Sequence, residues 1–156
     1  MLLNAKTVTL EVDIRLAPII TVGGRSVTLG PRNGIVVSTI SGVNGQVMDT
    51  VIFDLMEGGA SVRLINYLDS VAVGSYVVIA SSQNAFLALN QNVRNYFIAL
   101  GSRAATNLSL GDRWIFVVRV EPLTTSLSLA ETVSKAPDCP LLNLPELLLV
   151  VKLALE

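Results

Sequence analysis

The sequence has no histidine, a single cysteine and few charged residues. Of its 156 residues, 15% are charged and the formal net charge is −1. Without histidine, Ser-His-Asp and Cys-His catalysis and histidine-ligated zinc are excluded. The single cysteine, Cys139, excludes an intramolecular disulfide and a cysteine metal cluster. The nearly balanced charge argues against nucleic acid or an anionic membrane as a partner, since both need clustered Lys and Arg.

The sequence also lacks long apolar runs and enzyme motifs. The C-terminal run over residues 147–155 is far shorter than the roughly 20 residues that span a bilayer, so we expect no membrane insertion. No apolar core of signal-peptide length follows Met1, so we expect either a protein that is not secreted or a piece of a longer precursor. There is no GxSxG motif, P-loop or GxGxxG motif. We therefore expect no enzyme activity, no cofactor and no metal site.

The hydrophobic content, in contrast, is high. It reaches 51%, with a mean hydropathy of +0.61. A chain of this length and composition can bury a good core, and disorder over most of it is not expected. We predict one domain over residues 1–121, followed by a linker and a short apolar C-terminal segment over residues 122–156.

A hairpin over residues 34–54 is the clearest local feature. Its two arms, residues 34–40 and 46–53, are rich in β-branched residues. Asn44-Gly45 in the connection tolerates the positive φ angles of a type I′ turn. Both faces carry large apolar side chains, so the hairpin is expected at the centre of a sheet.

Other segments also predict strands. Residues 7–16 alternate between apolar and polar side chains, which is typical of a strand with one face in water. Short strands are expected at residues 19–22 and 25–29. The continuous apolar run at 76–80 predicts a central strand, and residues 114–120 predict the last strong strand.

Two helices are predicted between the later strands, and a third at the C-terminus. Ser61 is the expected N-cap of the first, which runs to about residue 70. The second covers residues 87–100 and ends at Gly101. Residues 147–156 are expected to form the short terminal helix. The expected buried stripes are Val62, Ile65 and Leu68 on the first helix and Leu89, Val93, Phe97 and Leu100 on the second.

This order of elements predicts an α+β fold. We expect a β-sandwich-like pair of mainly antiparallel sheets flanked by two or three short helices. The alternating first strand indicates that one sheet has a water-facing side. The apolar strands at 35–40 and 76–80 indicate a second sheet that the helices cover.

Polar residues occupy loops at the ends of the predicted strands. Such loops, held on a rigid scaffold, are where binding residues concentrate. Their guanidinium, amide and carboxylate groups can bind sugar hydroxyls, and Trp114 can stack on a pyranose ring. In the structural alternative, Asp112 caps a turn and Trp114 fills the core. Asn107 begins an Asn-Leu-Ser sequon and is a glycosylation candidate. The candidate ligand-binding residues are Arg32, Gln83, Asn84, Asp112 and Arg113.

An ordered set of short motifs gives the chain a resemblance to a known family. The motifs are RNGIVV (32–37), GQVM (45–48), FD (53–54), LINYL (64–68), GSYVVIA (74–80), ALGS (99–102) and DRWIFV (112–117). Together they resemble the ILEI/PANDER-type domain, also called the GG domain, over roughly residues 7–121. This domain occurs in FAM3 cytokine-like proteins, hyaluronan-related cell-surface proteins and phage tail fibres, and in the stem of the protein O-mannose N-acetylglucosaminyltransferase.

The resemblance implies a compact β-sandwich-like fold and a non-catalytic role. In the glycosyltransferase stem the domain is a lectin for β-linked N-acetylglucosamine, so a carbohydrate-binding module is the leading expectation. A secreted cytokine-like or protein-interaction module is the alternative, and a structural stem or tail-fibre segment is a second one. The implied partner is a glycan or a cell-surface protein, in the extracellular space or the secretory-pathway lumen.

The chain departs from the family pattern at several positions. Asn33 is inserted before Gly34, Gln83 and Asn84 replace an acidic pair, and Gly111 replaces an arginine. The disulfide cysteines of the FAM3 proteins are absent. Lost carboxylates remove charge-assisted hydrogen bonds, which are stronger than neutral ones. Any sugar binding is therefore expected to be weaker or differently selective.

Overall fold

The computed structural model describes residues 6–15, 18–28, 34–81, 89–121, 127–134 and 148–156. Within them lie nine strands and two helices. In chain order these are β1 (Thr7–Asp13), β2 (Ile19–Val22), β3 (Arg25–Thr28), β4 (Ile35–Ile40), β5 (Val47–Phe53), α1 (Ala60–Asp69), β6 (Tyr76–Ser81), α2 (Gln91–Ala99), β7 (Arg113–Arg119), β8 (Leu127–Ser134) and β9 (Leu148–Ala154).

The strands form two antiparallel sheets. The four-stranded sheet has the order β3-β2-β1-β9, and the five-stranded sheet has the order β5-β4-β6-β7-β8. The helices cover one face of the five-stranded sheet, and the four-stranded sheet covers the other. The predicted α+β class with two sheets and flanking helices is confirmed. No helix in the described ranges is long and apolar enough to cross a membrane.

Because β4, β6 and β7 are covered on both faces, their residues alternate between two cores. The helix-side core combines sheet residues such as Val37, Ile79 and Phe116 with Leu64 of α1 and Phe97 of α2. The sheet-side core joins β4, β6 and β7 to the inner face of the four-stranded sheet. Its buried members include Val36, Val78, Val117, Leu10, Val12, Ile20 and Leu153.

The alternation predicted for the first strand is confirmed in β1. Leu10 and Val12 are fully buried against the sheet-side core, while Thr9 and Glu11 face water. The hairpin is also present, as β4 and β5, but its predicted central position is wrong for one arm. β6 occupies the middle of the sheet and β5 is an edge strand. The polar residues Asp49 and Thr50 suit that edge, where one face of the strand has little cover.

The hairpin connection is wider than a two-residue type I′ turn. The amide of Gly45 donates to the carbonyl of Ser41 at 3.0 Å, and the amide of Ser41 donates to the carbonyl of Gln46 at 2.9 Å. The Ser41 hydroxyl also accepts hydrogen bonds from the amides of Val43 and Asn44. Side chains of the loop thus satisfy several of its backbone groups, and the connection predicted over residues 41–45 covers residues 41–46.

Both helices were located correctly, with errors at their starts. α1 is capped by Gly59, at φ 79°, rather than by Ser61. Its buried residues are Ala60, Leu64 and Leu68, and Val62 is 62% exposed, because the buried stripe follows i, i+4 spacing rather than i, i+3.

α2 begins at Gln91, after Asn90, whose side chain accepts a hydrogen bond from the amide of Val93 at 2.9 Å. It ends as predicted at Gly101, at φ 104°. The amides of Gly101 and Ser102 donate to the carbonyls of Ile98 and Phe97, which is a Schellman closure. This closure directs residues 101–105 back towards the sheet.

The secondary structure predicted for the C-terminal region is wrong. Residues 127–134, expected in a linker, form β8 and pair with β7. Residues 148–154, expected in a helix, form β9, which pairs with β1 from Thr7↔Ala154 to Asp13↔Leu148. As a helix, this segment would have exposed apolar side chains on every face. As a strand, it packs alternate residues against the sheet-side core: Leu149, Val151 and Leu153. The division of the chain at residue 121 stays a prediction.

Candidate functional site: the turn before β7 and the groove along β8

Of the five predicted ligand-binding residues, the structure describes Asp112 and Arg113. Arg32, Gln83 and Asn84 lie outside the described residues, as does Cys139. Asp112 and Arg113 lie where β7 begins, and their exposed fractions are only 1% and 8%. A ligand-binding role for the set stays a prediction, and the described pair also makes contacts within the chain.

Asp112 closes the turn that leads into β7. Its Oδ2 accepts hydrogen bonds from the amide of Ser109 at 2.9 Å and from the Ser109 hydroxyl at 3.3 Å. In return, the amide of Asp112 donates to the carbonyl of Ser109 at 3.1 Å. An acidic side chain that binds an amide three residues earlier stabilises a tight turn, as the structural alternative from the sequence anticipated.

Arg113 connects the start of β7 to the end of β1. Its Nη1 donates to the carbonyl of Ile14 at 2.7 Å and to the carbonyl of Arg15 at 3.2 Å. Burial lowers the pKa of the Arg113 guanidinium from its ordinary value. The side chain thus satisfies two backbone carbonyls just past the end of a strand, where no ladder partner is available.

Trp114 offers no surface for stacking on a sugar. Its ring is fully buried and packs against Phe97 at 5.0 Å and against Phe116 at 5.5 Å, between centroids. Its Nε1 donates to Oε2 of Glu131 at 2.8 Å. The indole therefore fills the helix-side core with its polar atom paired, as buried tryptophans generally do.

Glu131 of β8 is the centre of a hydrogen-bond network that the sequence did not reveal. Its Oε1 accepts hydrogen bonds from the amides of Arg103 and Ala104, at 2.8 and 3.3 Å. Its Oε2 accepts from the Ser102 hydroxyl and from the indole of Trp114. One half-buried carboxylate thus ties β8 to β7 and to the loop that follows α2. The only sequence signal is a lone acid among small and apolar residues.

A groove of about 590 Å³ runs beside this network, and we name it the β8 groove. Gly101, Arg103 and Ala104 form one side, and residues 128–133 form the other. Glu131 has its oxygens engaged, so it contributes structure rather than a free acceptor. Arg103 and Leu129 are exposed, the latter at 38%. The groove therefore offers a cation, small side chains and an apolar side chain.

β8 is an edge strand, so the groove also borders unpaired backbone. Among the described residues, no strand pairs with β8 on the side opposite β7. Its pairing with β7 is regular from Ala130↔Val117 to Ser134↔Arg113, and a bulge interrupts it near Leu129. A strand edge that no other described strand pairs is able to accept another extended chain.

The remaining surface gives weaker candidates. In the parts of the chain that the structure describes, no three His, Cys, Asp or Glu side chains lie close enough to hold a metal ion. Asn107 is exposed in the loop before β7, as the sequon requires, and its glycosylation stays a prediction.

Two tyrosines on the helices are half-buried and have their hydroxyls engaged. The Tyr67 hydroxyl donates to Asp49, and the Tyr96 hydroxyl donates to Asp69. Burial, reinforced by Asp69, raises the pKa of Tyr96, so that phenol stays neutral.

Comparison with known proteins identifies the family. The family model described as "Interleukin-like EMT inducer" (ILEI) matches residues 33–121, more than half of the chain. Human protein FAM3C is 35% identical over 83 residues, covering 53% of this chain and 36% of FAM3C. Mouse protein FAM3A is 30% identical over 84 residues, covering 54% and 36%, and mouse protein FAM3D is 32% identical over 84 residues, covering 54% and 37%.

The match therefore spans little more than a third of the length of these curated relatives. The match to the family model runs from just before β4 to just after β7 and includes both helices. The resemblance found in the sequence motifs is confirmed over these residues. This chain belongs to the interleukin-like EMT inducer (ILEI) family.

Proposed function

We propose that this chain is a non-catalytic, extracellular recognition module that binds a protein partner through the β8 groove. The observation that carries the proposal is the groove of about 590 Å³ beside β8, which no second strand pairs among the described residues and whose pairing with β7 is regular from Ala130 to Ser134. An extended segment of the partner would add to β8 by backbone hydrogen bonds, and its side chains would contact the groove. The printed family description, interleukin-like, agrees with a protein-binding role.

The groove also defines the chemistry of the partner segment. Arg103 favours an acidic side chain, and Leu129 and Ala130 favour small or apolar ones. Glu131 does not repel the acid strongly, because four donors already neutralise its two oxygens in part. We therefore expect an extended segment with alternating apolar residues and at least one carboxylate.

A displayed library of random 12-residue peptides tests this proposal. Peptides selected on the full chain are measured by biolayer interferometry against Arg103→Glu and Leu129→Lys. Each variant should weaken binding about tenfold or more, since a reversed charge or a buried ammonium costs over about 1.4 kcal/mol. Arg63→Glu is the matched control, because Arg63 is exposed on α1, away from the groove. Binding that both groove variants leave unchanged would contradict the proposal.

Carbohydrate binding is the second candidate, and it stands on the family resemblance and on the polar loop residues. Among the described residues, its structural support is limited: five of the seven aromatic side chains are buried and so cannot stack on a sugar, namely Phe53, Tyr76, Phe97, Trp114 and Phe116, while Tyr67 and Tyr96 are half-buried. A glycan array followed by titration with β-N-acetylglucosaminides tests it on the same protein. Saturable sugar binding without groove-dependent peptide binding would favour this candidate over the first.

A further inference from the structure

A second concavity lies at the opposite side of the sandwich, where the β2–β3 turn faces the β4–β5 loop. It has a volume of about 460 Å³, and we name it the hairpin pocket. Four valines supply its apolar wall: Val8, Val22, Val27 and Val47. They come from β1, β2, β3 and β5, so both sheets contribute. Ligand pockets in proteins generally fall between about 300 and 1,000 Å³ and combine an apolar wall with a few polar groups.

Arg25 lies on the core-facing side of the four-stranded sheet. It pairs in register with Val22, which is buried and faces the other sheet, and directly paired residues point to the same face. The register thus puts a guanidinium where an apolar side chain is expected. Arg25 is nevertheless exposed, because it borders the hairpin pocket instead of packed side chains. Among the described residues its guanidinium makes no hydrogen bond or ion pair.

The β4–β5 loop adds two further donors to the rim. Asn44 uses its Oδ1 to accept from the amide of Gln46 at 2.9 Å, which leaves its NH₂ group free to donate outward. Gln46 is exposed and lines the same pocket. Both residues are held in place by Gly45, at φ 73°, where a Cβ would lie 3.1 Å from Val8. Glycine suits that position on two counts, because it adopts the positive φ without strain and leaves room for the close approach of the loop to the four-stranded sheet.

We propose that the hairpin pocket binds a small aliphatic carboxylate. The carboxylate accepts hydrogen bonds from the Arg25 guanidinium and from the side-chain amides of Asn44 and Gln46. The aliphatic part replaces water on the valine wall. A free medium-chain fatty acid and the C-terminal residue of an aliphatic peptide share this chemistry. The pocket does not overlap the β8 groove, and this site is independent of the function proposed above.

Titration of the full chain, followed by ¹H–¹⁵N NMR, tests the proposal. The probes are octanoate and an N-acetylated dipeptide that ends in a leucine carboxylate. We expect saturable shifts centred on the amides of residues 22–27 and 44–47 for at least one probe, and the tighter probe identifies the source of the ligand. Arg25→Gln should weaken that binding by about tenfold or more, because a hydrogen bond to a charged group is lost.

Three controls make the outcome decisive. Octanamide has the same chain without the charge and should bind more weakly than octanoate. Val27→Phe should block the pocket, and if it fails to fold, Arg25→Gln alone decides, since Arg25 is exposed. Arg63→Gln should leave binding unchanged. The proposal is overturned if neither probe gives saturable shifts at low millimolar concentration, if octanamide binds as well as octanoate, or if Arg25→Gln has no effect.

Discussion

The two faces of the five-stranded sheet are covered by residues from different parts of the chain. Every buried residue of the helix-side core lies between Ile35 and Val118, inside the family-matched segment. The sheet-side core draws instead on β1, β2 and β9, which lie outside that segment. The helix side is rich in aromatic rings, and the sheet side is mostly aliphatic. The matched segment thus carries every buried residue of the helix-side core, against which Val133 of β8 also packs, and about half of the buried residues of the sheet-side core.

The difference suggests how this family fold is completed in this chain. β4 is buried over its whole length and carries mainly apolar side chains on both faces, so it needs cover on both. The matched segment supplies that cover on one face through α1 and α2. On the other face the flanking strands supply it. We therefore expect residues outside 33–121 to be required for stability, and the following changes test that expectation in order of decreasing effect.

The largest effect is expected from a chain that ends at Glu121. It lacks β8 and β9, so it loses Leu153 from the sheet-side core and leaves both β1 and β7 with an unpaired edge. Domains are typically stable by only about 5–15 kcal/mol, and losses of this extent should remove the cooperative thermal transition. Thermal melting by circular dichroism and the chemical-shift dispersion in NMR spectra measure the loss of folded structure, with the full chain as control. A fragment that melts cooperatively would instead support the domain division predicted at residue 121.

A smaller effect is expected from one large-to-small substitution in each core. Phe97→Ala should cost about 3–5 kcal/mol on the helix side, and Leu153→Ala about 2–5 kcal/mol on the sheet side, since both side chains are fully buried. If the two cores form one cooperative unit, urea unfolding by fluorescence and circular dichroism will give one shared, shifted transition for each variant. Val62→Ala, at an exposed site, should change stability by less than about 0.5 kcal/mol. Separate transitions for Leu153→Ala would show that the two faces unfold independently.

Glu131 links β8 to the matched segment by hydrogen bonds. It lies outside the matched segment, while its donors, on Ser102, Arg103, Ala104 and Trp114, lie inside it. Glu131→Ala should cost about 1–3 kcal/mol, because the buried indole N–H and the Ser102 hydroxyl lose their acceptor. Glu131→Gln should cost less, since one oxygen remains. Tryptophan fluorescence during urea unfolding measures both, with Ser128→Ala as the exposed control in β8. Equal stability of wild type and Glu131→Ala would show that the network is dispensable.

The sequence predicted the elements from β1 to β7 better than β8 and β9, for physical reasons. The alternation in β1, the continuous apolar runs of β4 and β6 and the i, i+4 stripe of α2 are local patterns, so the elements could be located. β9 was misread as a helix because residues 147–155 have no clear period. Its structure depends on pairing with β1, at the far end of the chain.

The candidate site was harder to predict than the fold. Asp112 and Arg113 have the chemistry of a binding site, but the same groups also close turns and satisfy stray carbonyls, and only the contacts distinguish the two uses. The hydrogen-bond donors to Glu131 lie 17 to 29 residues earlier in the chain. Local sequence patterns do not predict a network of that separation. Arg25 became notable only when its register with Val22 placed it on the inner face of a sheet.

The smallest effect is expected on the water-facing side of the four-stranded sheet, at the end of β1. Asp13 accepts hydrogen bonds from the guanidinium and the amide of Arg15, and the side-chain bond is the main reason why the pKa of Asp13 is lowered from its usual 3.8. Because the folded pKa lies below the unfolded one, the stabilisation is complete above about pH 4 and is lost as the pH falls through the lowered value.

Asp13→Asn should therefore cost less than about 1 kcal/mol at pH 7, since the Arg15 side chain is 53% exposed and solvent screens the pair. Urea unfolding at pH 7, 4, 3 and 2 should show wild type and variant converging as the pH falls. Glu11→Gln is the matched control, because the Glu11 carboxylate lies on the same face and makes no hydrogen bond to the described residues. A gap between Asp13→Asn and wild type that stays constant down to pH 2 would show that the ion pair is not its cause. Such a result would leave packing of the two cores as the source of stability at the end of β1.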